Sequence, residues 1–375
     1  MNNKRVFILG AGSSKSNYPS FPSINEFFKI AKNIGILKRQ NDNYLELEDY
    51  IKTWFGVDIF LDDACIDVEL LFTNIEIQIE RNPTWHLLEI KNKLLKLIID
   101  LLINLEGQST INKDYNSFYS NIKQTDTIIT FNWDLLLDNI CERKKYLSAV
   151  YQSDEKTDFL DEKNHYGRFL LDFTCFGEGT WKRISIDRPY KTWDSRNGYY
   201  LKLHGSVDWF YCKNNQCRAW GKLFPVLSPC DPVHPYICSE CHENLDTLII
   251  PPILNKEYNN FPSIRKIWSV AARELSISKE LIIWGYSIPP TDFYTDWLIR
   301  HSRYNIEKIS IIDPKVIDSN HKYNGSFIKR YYEIFKDKVA PDKFSFYEYY
   351  NDYESNDDVS KKYKLSATDL SNAIS

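Results

Sequence analysis

The sequence predicts an α/β protein: a Rossmann-like, doubly wound, mostly parallel sheet with a helical insertion and a small zinc-ribbon-like module. Three observations predict it. Short unbroken apolar runs end repeatedly in glycine, asparagine, histidine or aspartate, as in Val6–Leu9 before Gly10 and Ile309–Ile312 before Asp313; such runs suit strands covered on both faces. Segments with a 3.6-residue apolar period lie between them. Two cysteine pairs, Cys212 with Cys217 and Cys238 with Cys241, stand close together late in the chain.

The first strand, Val6–Leu9, breaks at Gly10-Ala11-Gly12 into a turn. Ser23 with Glu26 three positions later has capping-box spacing, and Ile24, Phe27, Phe28 and Ala31 form an apolar stripe, which predicts a helix over 23–34. Residues 41–118 read as a mainly helical insertion, most firmly over Leu94–Leu105, whereas the alternation of Ile75, Ile77 and Ile79 would also suit a strand. Thr127–Phe131 returns as a buried strand, followed by Asn132-Trp133-Asp134 and a short helix from Leu135 to Ile140.

Residues 148–198 have weak periodicity and read as loops and short elements folding over the sheet edge. Further strands are expected at Tyr199–Leu203, Leu248–Ile250, Leu281–Trp284 and Ile309–Ile312, with helices at 262–277 and 291–303. Phe344, Phe346 and Tyr347 point to one more strand in a C-terminal extension, 316–375, assigned to oligomer or partner contact, and 354–375 reads as frayed.

Composition bounds the function. The chain has 375 residues, 43% of them apolar and 15% aromatic, with only 13 glycines, which excludes disordered and fibrous classes. A dispersed net charge of −4 gives no basic surface for a nucleic-acid backbone. Val6–Leu9 is too short for a signal-peptide core, and Leu94–Leu105 is interrupted by Lys96, Asp100 and Asn104. The expectation is a soluble cytoplasmic protein without a membrane span. The eight cysteines accordingly do not read as a disulfide framework.

Several strand ends bear ligand-type residues. Gly10-Ala11-Gly12-Ser13-Ser14 after a strand is a phosphate-binding turn in the right context, although Lys15 stands where a third glycine would complete the usual fingerprint. Asn132 falls at the carboxyl edge of a strand, where an amide can hold a ribose hydroxyl or a water; Asn132 or Asp134 could equally cap the next helix. His204 lies just past a strand and before Gly205, a position for a general base or for a structural histidine. Gly285, Tyr286 and Ser287 follow another strand, with Asp292 at the start of the next helix, and Asp313 ends a later strand with a carboxylate of the kind that binds an adenosine ribose. Together these residues point to a dinucleotide site.

The spacings Cys212-x4-Cys217 and Cys238-x2-Cys241 fit a four-thiolate zinc site over 212–241, with Cys230, His234 and His242 near enough to substitute. Asp67, Glu69 and Glu76 read as solvated surface positions.

The order of motifs, Gly10-Ala11-Gly12-Ser13, Phe131-Asn132-Trp133-Asp134, Leu203-His204-Gly205-Ser206, paired cysteines, Gly285-Tyr286-Ser287 and Asp313-Pro314, resembles the sirtuin-like family, particularly its bacterial antiphage-defence branch. The resemblance spans about residues 4–315 and implies a catalytic domain over 1–315 that consumes NAD by cleaving the nicotinamide–ribose bond. It implies that Gly10, Ala11, Gly12 and Ser13 hold the pyrophosphate, that Asn132 lies near the nicotinamide ribose, that His204 is the base, and that Ser14 and Asp134 are also cofactor-binding. Gly285, Ser287 and Asp313 would take the adenosine half, and the zinc would be structural. Deacylases of the family carry Asp-Phe-Arg after the glycine loop, whereas this chain has Ser20-Phe21-Pro22-Ser23-Ile24-Asn25, so the resemblance favours an NAD hydrolase over a deacylase, an ADP-ribosyltransferase or a non-catalytic nucleotide sensor. It further implies a homo-oligomer, or a separate activator such as a HerA-type ATPase or a short Argonaute.

Overall fold

The computed structural model describes residues 4–39, 42–61, 65–108, 113–123, 125–141, 173–177, 180–184, 198–220, 223–225, 237–238, 240–250, 261–289, 292–317 and 324–358. Six parallel strands form the centre of the larger sheet: β1 (Arg5–Leu9), β2 (Thr127–Thr130), β5 (Gly198–Lys202), β9 (Glu280–Trp284), β10 (Lys308–Ile312) and β11 (Phe344–Tyr347). A hairpin of β3 (Phe173–Gly177) and β4 (Thr180–Ile184) extends it antiparallel beyond β5. The spatial order is β11-β10-β9-β1-β2-β5-β3-β4. The chain therefore winds outward from β1 through β2 and β5, then returns to the other side of β1 for β9, β10 and β11. The strand order reverses between β1 and β9, and a crevice opens at such a switch point.

Strand alternation divides the apolar side chains between two cores. Phe7, Leu9, Ile128, Ile282, Trp284 and Ile312 face one layer, and Val6, Ile8, Ile129, Leu201, Leu281 and Ile283 face the other. The first layer is the helical insertion: α3 (Leu45–Phe55), α4 (Val68–Arg81), α5 (Trp85–Gln108) and α6 (Lys113–Asn121). In α5, Leu87, Ile90, Leu94, Leu97, Ile98, Leu101, Leu102 and Leu105 form one buried stripe of helical period. The second layer includes α8 (Pro262–Ile277), α9 (Phe293–Ser302) and α10 (Gly325–Phe335), whose buried Ile267, Ala271, Leu298, Ile328 and Tyr331 pack on the sheet. No helix among the described residues is long and apolar enough to cross a membrane.

Several expectations are corrected. The turn after β1 passes directly into a helix, α1 (Ala11–Asn17), that the polar run Ser13–Asn17 concealed. The helix expected over 23–34 begins only at Phe27, as α2 (Phe27–Asn33): Glu26 accepts from the Ser23 amide at 2.8 Å as a capping box would, but the chain turns there before the helix starts. Ile75, Ile77 and Ile79 belong to α4 because Leu71, Phe72 and Ile75 recur at helical spacing on its buried face. Leu248–Ile250 does not enter the main sheet. That segment lies in β8 (Asp246–Ile249), which pairs antiparallel with β6 (Gly205–Tyr211) in a separate sheet completed by β7 (Leu223–Pro225).

The sheet also continues past residue 315. β11 pairs parallel with β10, α10 covers it, and α11 (Tyr350–Ser355) stacks Tyr350 on Trp284 at 4.6 Å. Residues 359–375, within the stretch expected to fray, lie outside the described residues.

The switch point imposes tight local packing. Gly285 has φ +62°, and a Cβ there would fall 2.1 Å from Ser13 N and 2.3 Å from Gly12 C. The obstructing atoms are backbone and cannot rotate away. Gly285→Ala is expected to lower the unfolding free energy by about 3 kcal/mol or more, read as a fall in the midpoint of chemical denaturation; an unchanged midpoint would show that β1 and β9 can part here at little cost.

Candidate active site

A cavity of about 560 Å³ opens at the carboxyl ends of the central strands, within the size range of small-molecule sites. Ala11, Gly12 and Ser14 from the glycine turn, Asn132 and Asp134 after β2, His204 after β5, Gly285 and Ser287 after β9, and Asp313 after β10 all line it. The structure thus brings together nine of the eleven residues singled out as catalytic or cofactor-binding. The other two, Gly10 and Ser13, stand behind the lining.

Those two have a supporting role. The Gly10 amide donates to Trp284 O at 3.1 Å, the Gly12 amide to Gly285 O at 2.8 Å and the Ser13 amide to Gly10 O at 2.9 Å. The turn is therefore bolted to the end of β9, and the Gly12 and Ser13 N–H groups already have backbone acceptors. The Ser13 hydroxyl donates to Gly10 O at 2.7 Å and shares a 2.9 Å hydrogen bond with the Tyr115 hydroxyl, which lies 3.2 Å from Ser14 Oγ. Tyr115 comes from α6 and is fully buried. Nothing in its local sequence marks it as part of the site.

Asn132 is tied to the same turn. Its Nδ2 donates to Gly10 O at 3.0 Å and to Ser14 Oγ at 2.9 Å. With the nitrogen engaged, Oδ1 is the amide atom suited to accept a hydrogen bond from a ligand hydroxyl or a water. Both carboxylate oxygens of Asp134 are engaged by protein groups. Its Oδ1 accepts from the Leu136 amide at 3.1 Å, capping α7 (Leu136–Cys141), while Oδ2 accepts from Ser14 Oγ at 2.7 Å. Burial raises the Asp134 carboxyl above the usual range, against the pull of Lys202 and the Ser14 and Leu136 hydrogen bonds.

His204 is almost wholly buried and lies between aromatic rings, 4.9 Å from Phe131 and 6.3 Å from Trp268 by centroid. Its Nε2 is 3.7 Å from Asp292 Oδ2. That carboxylate also accepts from the Tyr286 hydroxyl and the Thr295 hydroxyl, each at 2.7 Å. A carboxylate so held can orient the imidazole and stabilise its protonated form. The backbone around His204 is also fixed, because the Ile250 amide donates to His204 O at 2.9 Å. Gly205 has φ +77°, and a Cβ there would meet Leu248 O at 2.1 Å, so β8 can approach only a glycine.

At the β10 end, Asp313 caps the following turn by accepting from the Lys315 amide at 2.8 Å. Burial raises its carboxyl, opposed by that hydrogen bond and by the Lys315 charge. Lys15 and Lys315 are the lysines of the lining, and Lys15 pairs with Glu26.

The insertion supplies the remaining wall with Val68, Glu69, Phe72 and Leu102, beside Phe21 and Ile24 from the segment before α2 and Phe27 at its start. Glu69 is corrected here: it is buried in the first turn of α4 and faces the crevice rather than bulk solvent. Its neighbour Asp67 is the N-cap, accepting from the Leu70 amide at 3.0 Å.

The four cysteines converge at the far end of β6. Cys212 and Cys241 sulfurs are 3.5 Å apart, Cys217 and Cys238 sulfurs 3.7 Å, and all four lie within 4.8 Å of one another. The edge of a ZnS4 tetrahedron with bonds of about 2.3 Å is about 3.8 Å. The donor set therefore fits a closed structural zinc site. Cys230 and His234 lie outside the described residues, and the cluster forms without His242.

No family model matches the chain, and no curated protein matches it. Among solved structures it is similar to a Sir2 homologue in complex with NAD, at 12% identity and a TM-score of 0.43 over 99% of this chain and 91% of the other. It is also similar to a Sir2 homologue bound to ADP-ribose, at 14% identity and a TM-score of 0.37 over 89% and 90%. A third, a Sir2 homologue with 2′-O-acetyl ADP-ribose, shows 15% identity and a TM-score of 0.35 over 83% and 80%.

The cysteine geometry predicts about one Zn²⁺ per chain. Metal analysis of protein purified under reducing conditions tests it. Cys238→Ser is expected to lose the metal and to lower the melting temperature by several degrees; a wild-type protein free of zinc after expression in zinc-supplemented medium would reject the site.

Proposed function

We propose that the protein is an NAD hydrolase that cleaves the nicotinamide–ribose bond with Asn132 and His204. The observation that carries this reading is that both side chains line one cavity at the β1/β9 switch point, across from the glycine turn. The order of sequence motifs supports it independently.

In this reading the pyrophosphate lies along Ala11, Gly12 and Ser14, and the adenosine half runs over Gly285 and Ser287 toward Asp313. The lining lysines Lys15 and Lys315 offer positive charge to it, while the Ser14 hydroxyl proton is held by Asp134. Gly10 and Ser13 hold the turn in shape from behind. The nicotinamide ribose falls between Asn132 and His204.

Nicotinamide departs as a neutral molecule from a cationic pyridinium, so the sugar develops oxocarbenium character, and positioning counts for more than acid catalysis. Asn132 Oδ1 accepts a hydrogen bond from a ribose hydroxyl or the incoming water. Water attacks C1′ as the C1′–N bond breaks, the bonding pair leaves with nicotinamide, and the water proton passes to His204. Asp292 steadies the resulting imidazolium. The products are ADP-ribose, nicotinamide and a proton. Zn²⁺ held by Cys212, Cys217, Cys238 and Cys241 would have no open coordination position and would serve folding of the small sheet.

The absence of Asp-Phe-Arg after the glycine turn supports hydrolysis over deacylation. Phe21, Ile24 and Phe27 give that side of the crevice an apolar wall instead. By the same resemblance, the protein acts in antiphage defence by draining cellular NAD, held in check by self-assembly or by a partner chain. Deleting the neighbouring partner gene is expected to change NAD-depletion toxicity; unchanged toxicity would reject external control.

The central test is incubation with NAD, with and without co-purified partner, followed by product analysis. Wild-type protein is expected to release nicotinamide, and His204→Ala or Asn132→Ala to reduce release by at least about 100-fold with melting temperature retained. Undiminished release from both variants would reject the assignment. Release only in the presence of an acylated peptide would reassign the chain as a deacylase, and a labelled acceptor protein would indicate ADP-ribosyl transfer.

A further inference from the structure

The end of β5 carries a second buried charge two residues before His204. Lys202 is 3% exposed, and its ammonium donates to Asp134 O at 2.6 Å and to Asp138 Oδ2 at 3.0 Å. Asp138 also accepts from the Tyr200 hydroxyl at 2.9 Å. Around this ammonium stand Glu106 from α5, Asp134 from the turn after β2, Asp138 from α7 and Asp208 from β6. Burial works against the Lys202 charge, yet the fields of Asp138, Asp208 and Asp134 hold the ammonium charged above the ordinary lysine range. Asp208 is pushed up to about 6 by burial, opposed first by Lys202.

An isolated buried ammonium would cost several kcal/mol; here it is satisfied by groups that belong to the active-site turn. The connections run in one direction. Lys202 fixes the carbonyl and α7 start at Asp134; the Asp134 carboxylate accepts from Ser14; Ser14 accepts from the Asn132 amide. The β2 turn is gripped on its other side by the small sheet, through the Val207 amide donating to Trp133 O at 3.0 Å. Asn132 and His204 sit on different loops, and the buried Lys202 ammonium ties the first loop to the strand bearing the second.

We propose that Lys202 is a positioning residue of the active site, an ionic clamp that sets the Asn132 loop against the His204 strand and does not itself touch the ligand. This rests on the NAD-cleaving reading. Lys202 is absent from the cavity lining, whereas both residues it aligns are present. A clamp of this kind controls the separation of two reacting groups more than the anchorage of the pyrophosphate, which depends on the turn between β1 and β9.

The test compares Lys202→Met, which keeps length and apolar stem, with Lys202→Arg, which restores the charge. In Lys202→Met, kcat for nicotinamide release is expected to fall by about 100-fold, the loss that a displacement of about 1 Å produces, while KM stays within about threefold. Lys202→Arg is expected to recover part of that loss. Hydrogen–deuterium exchange gives a readout independent of catalysis: amides of 131–138 should exchange faster in Lys202→Met, and those of 281–287 should not. If Lys202→Met does not fold, Asp138→Asn removes one carboxylate of the clamp and should show the same changes at smaller size. Equal kcat and equal exchange over 131–138 in the variants would overturn the clamp. A kcat loss matched by an equal loss of NAD binding, or by faster exchange over 281–287 as well, would also overturn it in favour of general structural support. If the wild-type protein releases no nicotinamide, faster exchange confined to 131–138 in Lys202→Met would uphold the clamp and reject the NAD-cleaving reading.

Discussion

The close backbone contact between the ends of β1 and β9 is the constraint on which the site depends. Gly12 N–H reaches Gly285 O and Gly10 N–H reaches Trp284 O, and the space left for a side chain at Gly285 is less than a carbon atom requires. Where the winding of the sheet reverses, helices diverge to opposite faces and leave an opening. The glycine contact closes the floor of that opening without filling it. A cavity forms above, into which the loops after β2, β5, β9 and β10 all project.

Buried polar groups then give the cavity its shape. Ser13, Ser14, Tyr115, Asn132 and Asp134 form one hydrogen-bonded set that links α1, α6 and the β2 turn. Such a network is costly when half satisfied and rigidifying when complete. It also divides labour among residues that look equivalent in sequence. Ser14 faces the cavity and Ser13 braces the turn; Asp134 lies at the cavity wall while both its oxygens serve protein hydrogen bonds.

The two satellite modules act on the site from opposite sides. The small sheet grips His204 through Ile250 and the β2 turn through Val207, so the cysteine cluster at its far end stabilises backbone that leads into the crevice. The helical insertion closes the other side with Val68, Phe72 and Leu102 and adds the carboxylate of Glu69. One module fixes geometry, and the other lowers the polarity of the surroundings, which strengthens electrostatic interactions inside.

The sequence by itself determined the central strands, the glycine turn, the cysteine quartet and the positions of Asn132, His204, Gly285 and Asp313, because each is written in local pattern: an apolar run followed by a turn residue, or a short spacing between thiols. Helix starts are less legible where a local signal is ambiguous; Ser23 and Glu26 do bond, yet α2 begins later, and α1 has no apolar stripe to announce it. Tyr115, Asp292, Glu69 and Lys202 took their places only in the tertiary structure. Each lies in a segment whose own pattern reads as an ordinary helix, turn or strand, and each meets the site through partners far away in the chain: Ser13 for Tyr115, His204 for Asp292, Tyr286 for Glu69, and Asp134 and Asp138 for Lys202. Periodicity reports which face of an element is buried, but which buried side chains meet depends on how distant elements are brought together, and that is set by the winding of the sheet around β1.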